Sequence, residues 1–223
     1  MVLYASIFLA AYILGSIPFG LIISKAVYRV DLRKHGSGNI GTTNAMRTLG
    51  FSGGALTFFL DTIKGYLGGL AALVLVGIFA GGNVGEFVWQ SIIAPVAPIS
   101  NAIPAGVALT GGVVGHLFPV WLKFKGGKGV AVAGGCLFVL FGWLPGAIEI
   151  AVFASVVLIS KYVSLGSLCA AGACPVIGAI LFWREPVAII FCVIACALVF
   201  WAHRENINRL RAGNERRVGK KSR

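Results

Sequence analysis

Long apolar runs constrain this sequence more than any other feature. A helix rises about 1.5 Å per residue, so roughly 17 to 25 apolar residues are needed to cross the hydrocarbon core of a bilayer. Candidate runs lie at about 2–24, 53–80, 103–122, 129–144, 146–160, 163–183 and 186–202. The pattern predicts an all-α integral membrane protein with seven transmembrane helices, the fourth and fifth short and divided by a soft boundary near Trp143 to Gly146. The stretch from Phe87 to Ile99 is too short to span and is interrupted by Pro95 and Pro98, which predicts an interfacial or re-entrant segment. Charged residues make up only 12% of the chain against about 25% in a soluble domain, so a water-soluble enzyme or binding module is excluded. Gly, at 31 of 223 residues, has no collagen period to explain it and suits close helix packing in lipid.

The basic residues orient the chain, because Lys and Arg in short loops stay on the cytoplasmic side. Lys25, Arg29, Arg33, Lys34 and Arg47 follow the first run, Lys123, Lys125 and Lys128 the third, Lys161 the fifth, and eight more from Arg204 to Arg223 the seventh. Only Arg184 lies in an opposite loop, and Lys64 lies inside a run. The N-terminus is therefore expected outside and the C-terminus in the cytoplasm. The first run lacks a basic n-region and a small-residue cleavage pattern, so it reads as a retained span rather than a signal peptide. Residues 1–208 form the expected membrane domain, and 209–223 a basic cytoplasmic tail that reads as an anchor to anionic lipid. That tail has no aromatic residue to stack on bases, so nucleic acid is not an expected partner. The five Cys all lie in apolar runs, are odd in number and read as packing residues; neither they nor the scattered carboxylates suggest a metal or cofactor.

Three polar clusters fall on the basic side. In the first, from Gly36 to Arg47, the glycines at 36, 38 and 41 match G-x-G-x-x-G. A nucleotide-binding turn needs a buried strand before it, and Asp31-Leu32-Arg33-Lys34-His35 is not one. Glycine N–H groups, the hydroxyls and amides of Ser37, Asn39, Thr43 and Asn44, and the Arg47 fork still suit a phosphate. The second cluster runs from Gly115-His116-Leu117-Phe118-Pro119 to Lys123-Phe124-Lys125-Gly126-Gly127-Lys128-Gly129. A Walker A alignment fails, since Leu122 falls where its first Gly belongs and Gly129 where Ser or Thr should bind magnesium. Lys128 between glycines, just before a helix start at Val130, nonetheless offers a cation and free N–H groups at one point. The third, His203-Arg204-Glu205-Asn206-Ile207, reads equally as a helix end with basic partners for its dipole. Ser164 and Ser167 add hydroxyls on the same side. Asp61 and Lys64, one helical turn apart inside the second run, read as a mutual ion pair, and Glu149 has no evident sequence partner.

These signatures, in this order, resemble the bacterial membrane acyltransferases that acylate glycerol 3-phosphate from acyl-phosphate, over Gly15 to about Glu215. The resemblance implies transfer of a fatty acyl group to the 1-position of glycerol 3-phosphate, giving lysophosphatidate and inorganic phosphate, an early step of phospholipid synthesis. It implies an active site at the cytoplasmic side and a functional link to an enzyme that produces acyl-phosphate. By the same resemblance Ser37, Arg47, Lys128 and Ser164 would hold phosphate groups, the loop Gly126, Gly127, Lys128, Gly129, with Lys125 beside it, would cradle acyl-phosphate, and His203 and Asn206 would orient glycerol 3-phosphate. Ser37, Lys128 and His203 would be the catalytic residues; Asn39, Thr43 and Asn44 fall on the first motif. The His-x4-Asp pattern of other glycerolipid acyltransferases is excluded, since Ile40, Trp121 and Asn208 stand five after His35, His116 and His203. A phosphoanion transporter would need a polar lining from both sides, and the outer loops supply only one Arg, Glu86 and Glu185.

Overall fold

The structure is a computed structural model describing residues 1–81 and 83–218. Ten α-helices follow one another: α1 Val2–Ser16, α2 Phe19–Ala26, α3 Thr42–Ala80, α4 Val84–Ile93, α5 Ala102–Leu117, α6 Val130–Phe141, α7 Trp143–Ser160, α8 Val163–Leu181, α9 Pro186–Ala202 and α10 Arg204–Arg211. Short 3₁₀ turns lie at Leu32–Lys34, Ile99–Asn101 and Val120–Leu122, and no strand occurs among the described residues. The protein is an all-helical, multi-pass membrane protein.

Five segments are long and apolar enough to cross a bilayer: Val2–Ala26, Thr42–Ala80, Ile99–Leu122, Trp143–Ser160 and Val163–Leu181. A sixth is reached if α9 and α10, which meet at 61°, form one bent span. Of the seven expected helices, the one left over is α6, one of the two expected to be short. It has 12 residues, about 18 Å of helix against a core of about 30 Å. Gly142, at φ 90°, stops it, and a Cβ there would strike the backbone of Pro95 to Ala97. The stretch from Phe87 to Ile99, expected to be interfacial or re-entrant, ends α4 at Ile93 and then meets this corner: the Ala97 N–H donates to the Phe141 carbonyl at 2.9 Å and the Leu144 N–H to the Pro95 carbonyl at 3.0 Å. Those bonds satisfy the backbone where the helix stops, as a lipid environment demands.

Helix α5 is the axis of the bundle, packed against α1, α3, α6 and α9. Its span is 78% buried, whereas the other four bury 17–39% and turn their large apolar side chains outward. Small residues permit this. A Cβ on Gly15 would collide with the Gly112 backbone of α5, and one on Gly65 with Val132 of α6, so the helix backbones nearly touch.

The chain breaks between α1 and α2 at Ile17-Pro18, where proline contributes no N–H. The Ile17 carbonyl accepts a hydrogen bond from Lys64 Nζ at 2.7 Å. The same ammonium pairs with Asp61 Oδ1 at 2.8 Å and lies 3.0 Å from His116 Nδ1, with both members of the ion pair 2% exposed. Removing one member should cost about 3–5 kcal/mol, because it strands a buried charge. Lys64→Met is therefore expected to lower the melting temperature in detergent more than the Asp61→Asn/Lys64→Met double variant does. Equal losses would show that the charge is not what holds the break.

Candidate functional site

The first loop is built around one amide. Asn44, 2% exposed in the first turn of α3, accepts from the Ser37 N–H through Oδ1 at 2.9 Å. Its Nδ2 donates to the carbonyls of Leu32, His35 and Asn39 at 3.1, 3.0 and 2.8 Å. Asn39 Oδ1 accepts from the Gly41 N–H at 2.8 Å, turning the chain into α3. Both amides are thus occupied in shaping the loop rather than pointing out to a ligand. Ser37 is exposed, Thr43 is half-buried, and Arg47 projects from the second turn of α3 on an exposed side. A 3₁₀ turn, not a strand, precedes the glycines, in keeping with the failed nucleotide pattern.

The glycine loop folds back on the end of α5. The Gly126 N–H donates to the Leu117 carbonyl and the Gly127 N–H to the His116 carbonyl, each at 3.0 Å. Two N–H groups expected to cradle an anion are therefore already bonded, and these glycines serve close packing: a Cβ on Gly127 would enter the His116 ring. An ammonium has no lone pair, so His116 Nδ1 is the acceptor toward Lys64 and Nε2 carries the proton toward Gly127. Gly129, at φ 80°, turns the chain into α6 and leaves Lys128 and the α6 N-terminus as the donors. Lys125 is exposed, outside this arrangement.

The third cluster closes the site. Lys128 Nζ donates to Asn206 Oδ1 across the cleft between the glycine loop and α10. Asn206 Nδ2 and Ser164 Oγ donate to Glu215 Oε1 at 2.8 and 3.1 Å, and Arg209 Nε to Glu215 Oε2 at 2.7 Å. His203, 3% exposed, gives its Nδ1 proton to the Val199 carbonyl at 2.8 Å, which leaves Nε2 as an acceptor. Burial, reinforced by Lys128, depresses the His203 pKa to about 4. Burial and the Arg209 charge lower Lys128 to about 8. At Glu215 burial works upward, but hydrogen bonds from Arg209, Asn206 and Ser164 outweigh it and hold the carboxyl below its usual range. Arg47 lies within electrostatic reach of Lys128, Arg209 and Glu215.

The structure therefore brings Arg47, Lys128, Ser164, His203 and Asn206 to one cleft and adds two residues that the motifs left out, Arg209 and Glu215. Residues 209–218 do not hang free as a tail: Arg217 Nε donates to the Tyr162 hydroxyl at 3.0 Å and the Val218 N–H to the Lys161 carbonyl at 2.8 Å. The remainder of the expected basic tail, 219–223, lies outside the described residues. The available signal was charge contrast, since Glu215 is the one acid after Glu205 among many cations.

Comparison with known proteins decides what this cleft belongs to. The glycerol-3-phosphate acyltransferase family model matches residues 5–213. The chain belongs to the glycerol-3-phosphate acyltransferase family. A glycerol-3-phosphate acyltransferase of Rhodopseudomonas palustris strain HaA2 is 41% identical over 222 residues, 98% of each chain. One from Thermoanaerobacter pseudethanolicus is 37% identical, covering 95% of this chain and 94% of the relative. Among solved structures, the integral membrane glycerol 3-phosphate acyltransferase PlsY (YgiH) in its glycerol 3-phosphate form superposes with a TM-score of 0.78 at 34% identity, covering 97% of this chain and 96% of that one. Its lysophosphatidic acid form superposes with a TM-score of 0.73 at 33% identity, covering 97% and 95%. The protein is an acyltransferase.

In a glycerol-3-phosphate acyltransferase built this way, Asn44→Asp should unlatch the first loop, because three carbonyls would face a carboxylate in place of an amide. Losing the Nδ2 bonds is expected to cost about 1–3 kcal/mol of local stability. Hydrogen exchange at 36–41 should rise while the helical circular dichroism stays. Unchanged exchange would assign the loop's order to something other than Asn44.

Proposed function

We propose that this acyltransferase moves a fatty acyl group from acyl-phosphate to the 1-position of sn-glycerol 3-phosphate, giving lysophosphatidate and inorganic phosphate. The observation that carries this reading is the meeting of two unlike environments. Next to the cleft of Arg47, Lys128 and Arg209 lies a cavity of about 110 Å³ lined by Val130, Ala131, Ser167 and Val199, each within four residues of a cleft residue. Two phosphate-bearing substrates suit the cations, and a hydrocarbon chain suits the cavity. The bound forms of the PlsY structures, one with glycerol 3-phosphate and one with lysophosphatidic acid, support the same acceptor and product.

In the proposed reaction the 1-hydroxyl oxygen attacks the acyl carbonyl carbon, the carbon–oxygen bond to phosphate breaks, and an ester forms. Lys128, Ser37 and Arg47 offer charge and donors to the phosphates, Ser164 joins them once its hydroxyl turns away from Glu215, and the N-terminus of α6 adds its N–H groups. His203 Nε2 accepts a hydrogen bond from the attacking hydroxyl and so aims it. A pKa of about 4 makes it a weak base, so the proton goes to the departing phosphate, whose second pKa lies near about 6 in phosphoesters. Positioning of an already activated donor supplies much of the acceleration. The basic loops support a cytoplasmic cleft, with the N-terminus outside and the C-terminus inside, in a bacterial cell membrane. On this reading α6 counts as a seventh, short pass. An enzyme that makes acyl-phosphate must supply the donor.

The deciding experiment supplies purified protein with acyl-phosphate and glycerol 3-phosphate, where phosphate and lysophosphatidate should appear in equal amounts. Turnover with acyl-coenzyme A but not acyl-phosphate would overturn the donor. Lys128→Ala should lower kcat/KM by about 10²–10³-fold, as loss of one oxyanion donor does. Because kcat/KM reports the free enzyme, it should fall as pH rises through about 8, where Lys128 loses its proton. Lys128→Arg should remove that alkaline limb; a limb that persists would belong to another group.

A further inference from the structure

The cavity beneath the cleft is lined mainly by apolar side chains, and Ser167 near its upper end gives its hydroxyl proton to the Val163 carbonyl. Glu149 of α7 lines the cavity, is 4% exposed, and its Oε1 is buried with no hydrogen-bond partner. Thr62 of α3 lines it too, and its Oγ1 is likewise buried and unpartnered. Helix register puts both at the same level. A Cβ on Gly135 of α6 would meet the Thr62 carbonyl, and one on Gly146 of α7 would meet the Phe138 ring of α6. Since α6 and α7 run antiparallel about Gly142, Glu149 stands one turn from Gly146 opposite Gly135. Cys174 and Cys196, electrostatic neighbours of Glu149, line the cavity as well. Cys174 is ten residues along α8 from Ser164, and Cys196 seven along α9 from His203, about 15 Å and 10 Å of helix below the cleft.

A carboxyl and a hydroxyl without partners are costly inside a membrane protein, and such groups mark function or solvent access there. We propose that Glu149, with Thr62 across the cavity, is a specificity-determining residue that limits the length of the acyl chain. This rests on the acyl-phosphate reading, in which the chain descends from the cleft into the cavity. A chain ending above this layer leaves room for water between two polar groups that can hold it. A longer saturated chain expels that water and gives neither group a partner in return. The penalty therefore appears only when the chain reaches the layer, about 10–15 Å down.

The test is a ladder of saturated acyl-phosphates from octanoyl to stearoyl, with kcat/KM measured at each length. The full-length protein should favour intermediate chains. Glu149→Leu, of similar size without the polar head, should raise the ratio of stearoyl to octanoyl kcat/KM about tenfold, the effect of one buried group no longer left unpaired. Thr62→Val should move the ratio the same way by less, and Glu149→Gln, which keeps a polar head, should retain the original preference. A Glu149→Leu ladder that superimposes on the unsubstituted one overturns the proposal. Thermal shift with alkyl phosphates of the same lengths reads chain preference without turnover. Absence of all acyl-phosphate turnover would thus fail the donor reading alone, while a length preference in binding that ignores Glu149→Leu would fail this one. Glu149→Leu should also melt no lower than the unsubstituted protein, since it removes a buried unpartnered carboxyl.

Discussion

Within lipid, every backbone group freed by a break in a helix has to find a partner inside the protein, and this chain breaks its helices where its chemistry lies. At Ile17-Pro18 the partner is Lys64. At the end of α5 the partners are the Gly126 and Gly127 N–H groups, returned to the Leu117 and His116 carbonyls. At Gly142 they come from the segment around Pro95 and Ala97. The first two are joined, because Lys64 also reaches the His116 ring and His116 carries the loop that presents Lys128. A buried ion pair in the middle of the bundle thus determines where the cation of the cleft stands.

Electrostatics poses the next problem. Arg47, Lys128 and Arg209 act on one another repulsively, and burial already penalises the charge on Lys128. Glu215 offsets this by gathering Arg209, Asn206 and Ser164 on one carboxylate, while Asn206 bridges onward to Lys128. The site is consequently cationic without being a bare cluster of like charges, with its hydroxyl and amide protons gathered on Glu215. Preorganised cations of this kind add most to a reaction in which charge moves onto a leaving group.

Some of this was legible in the residues. The apolar runs predicted an all-helical membrane chain, and Asp61 with Lys64, one turn apart, predicted their own ion pair. The three motifs with Ser164 predicted a cleft in which Arg47, Lys128, Ser164 and His203 meet. What escaped was tertiary. Gly142 looks like any packing glycine until its φ of 90° ends α6 after 12 residues. Asn44 looks like a ligand donor until four backbone groups claim it. Glu215 follows a turn at Gly213, φ 71°, that swings the chain back over α10, so linear distance hid its contact with Ser164.

The two halves of the site share their supports. Ser164 faces the cleft and Ser167, one turn on, faces the cavity; Lys128 precedes Val130 by two residues; Val199 holds His203 by its carbonyl and lines the cavity with its side chain. On the proposed reading, head group and chain are therefore read by successive turns of the same helices. On the same reading a substitution at Glu149, level with Gly135, meets the acyl chain about 10–15 Å of helix below the cleft. If the cleft holds phosphate and the cavity the chain, selectivity for the acyl chain can vary along this fold while the cationic end stays fixed.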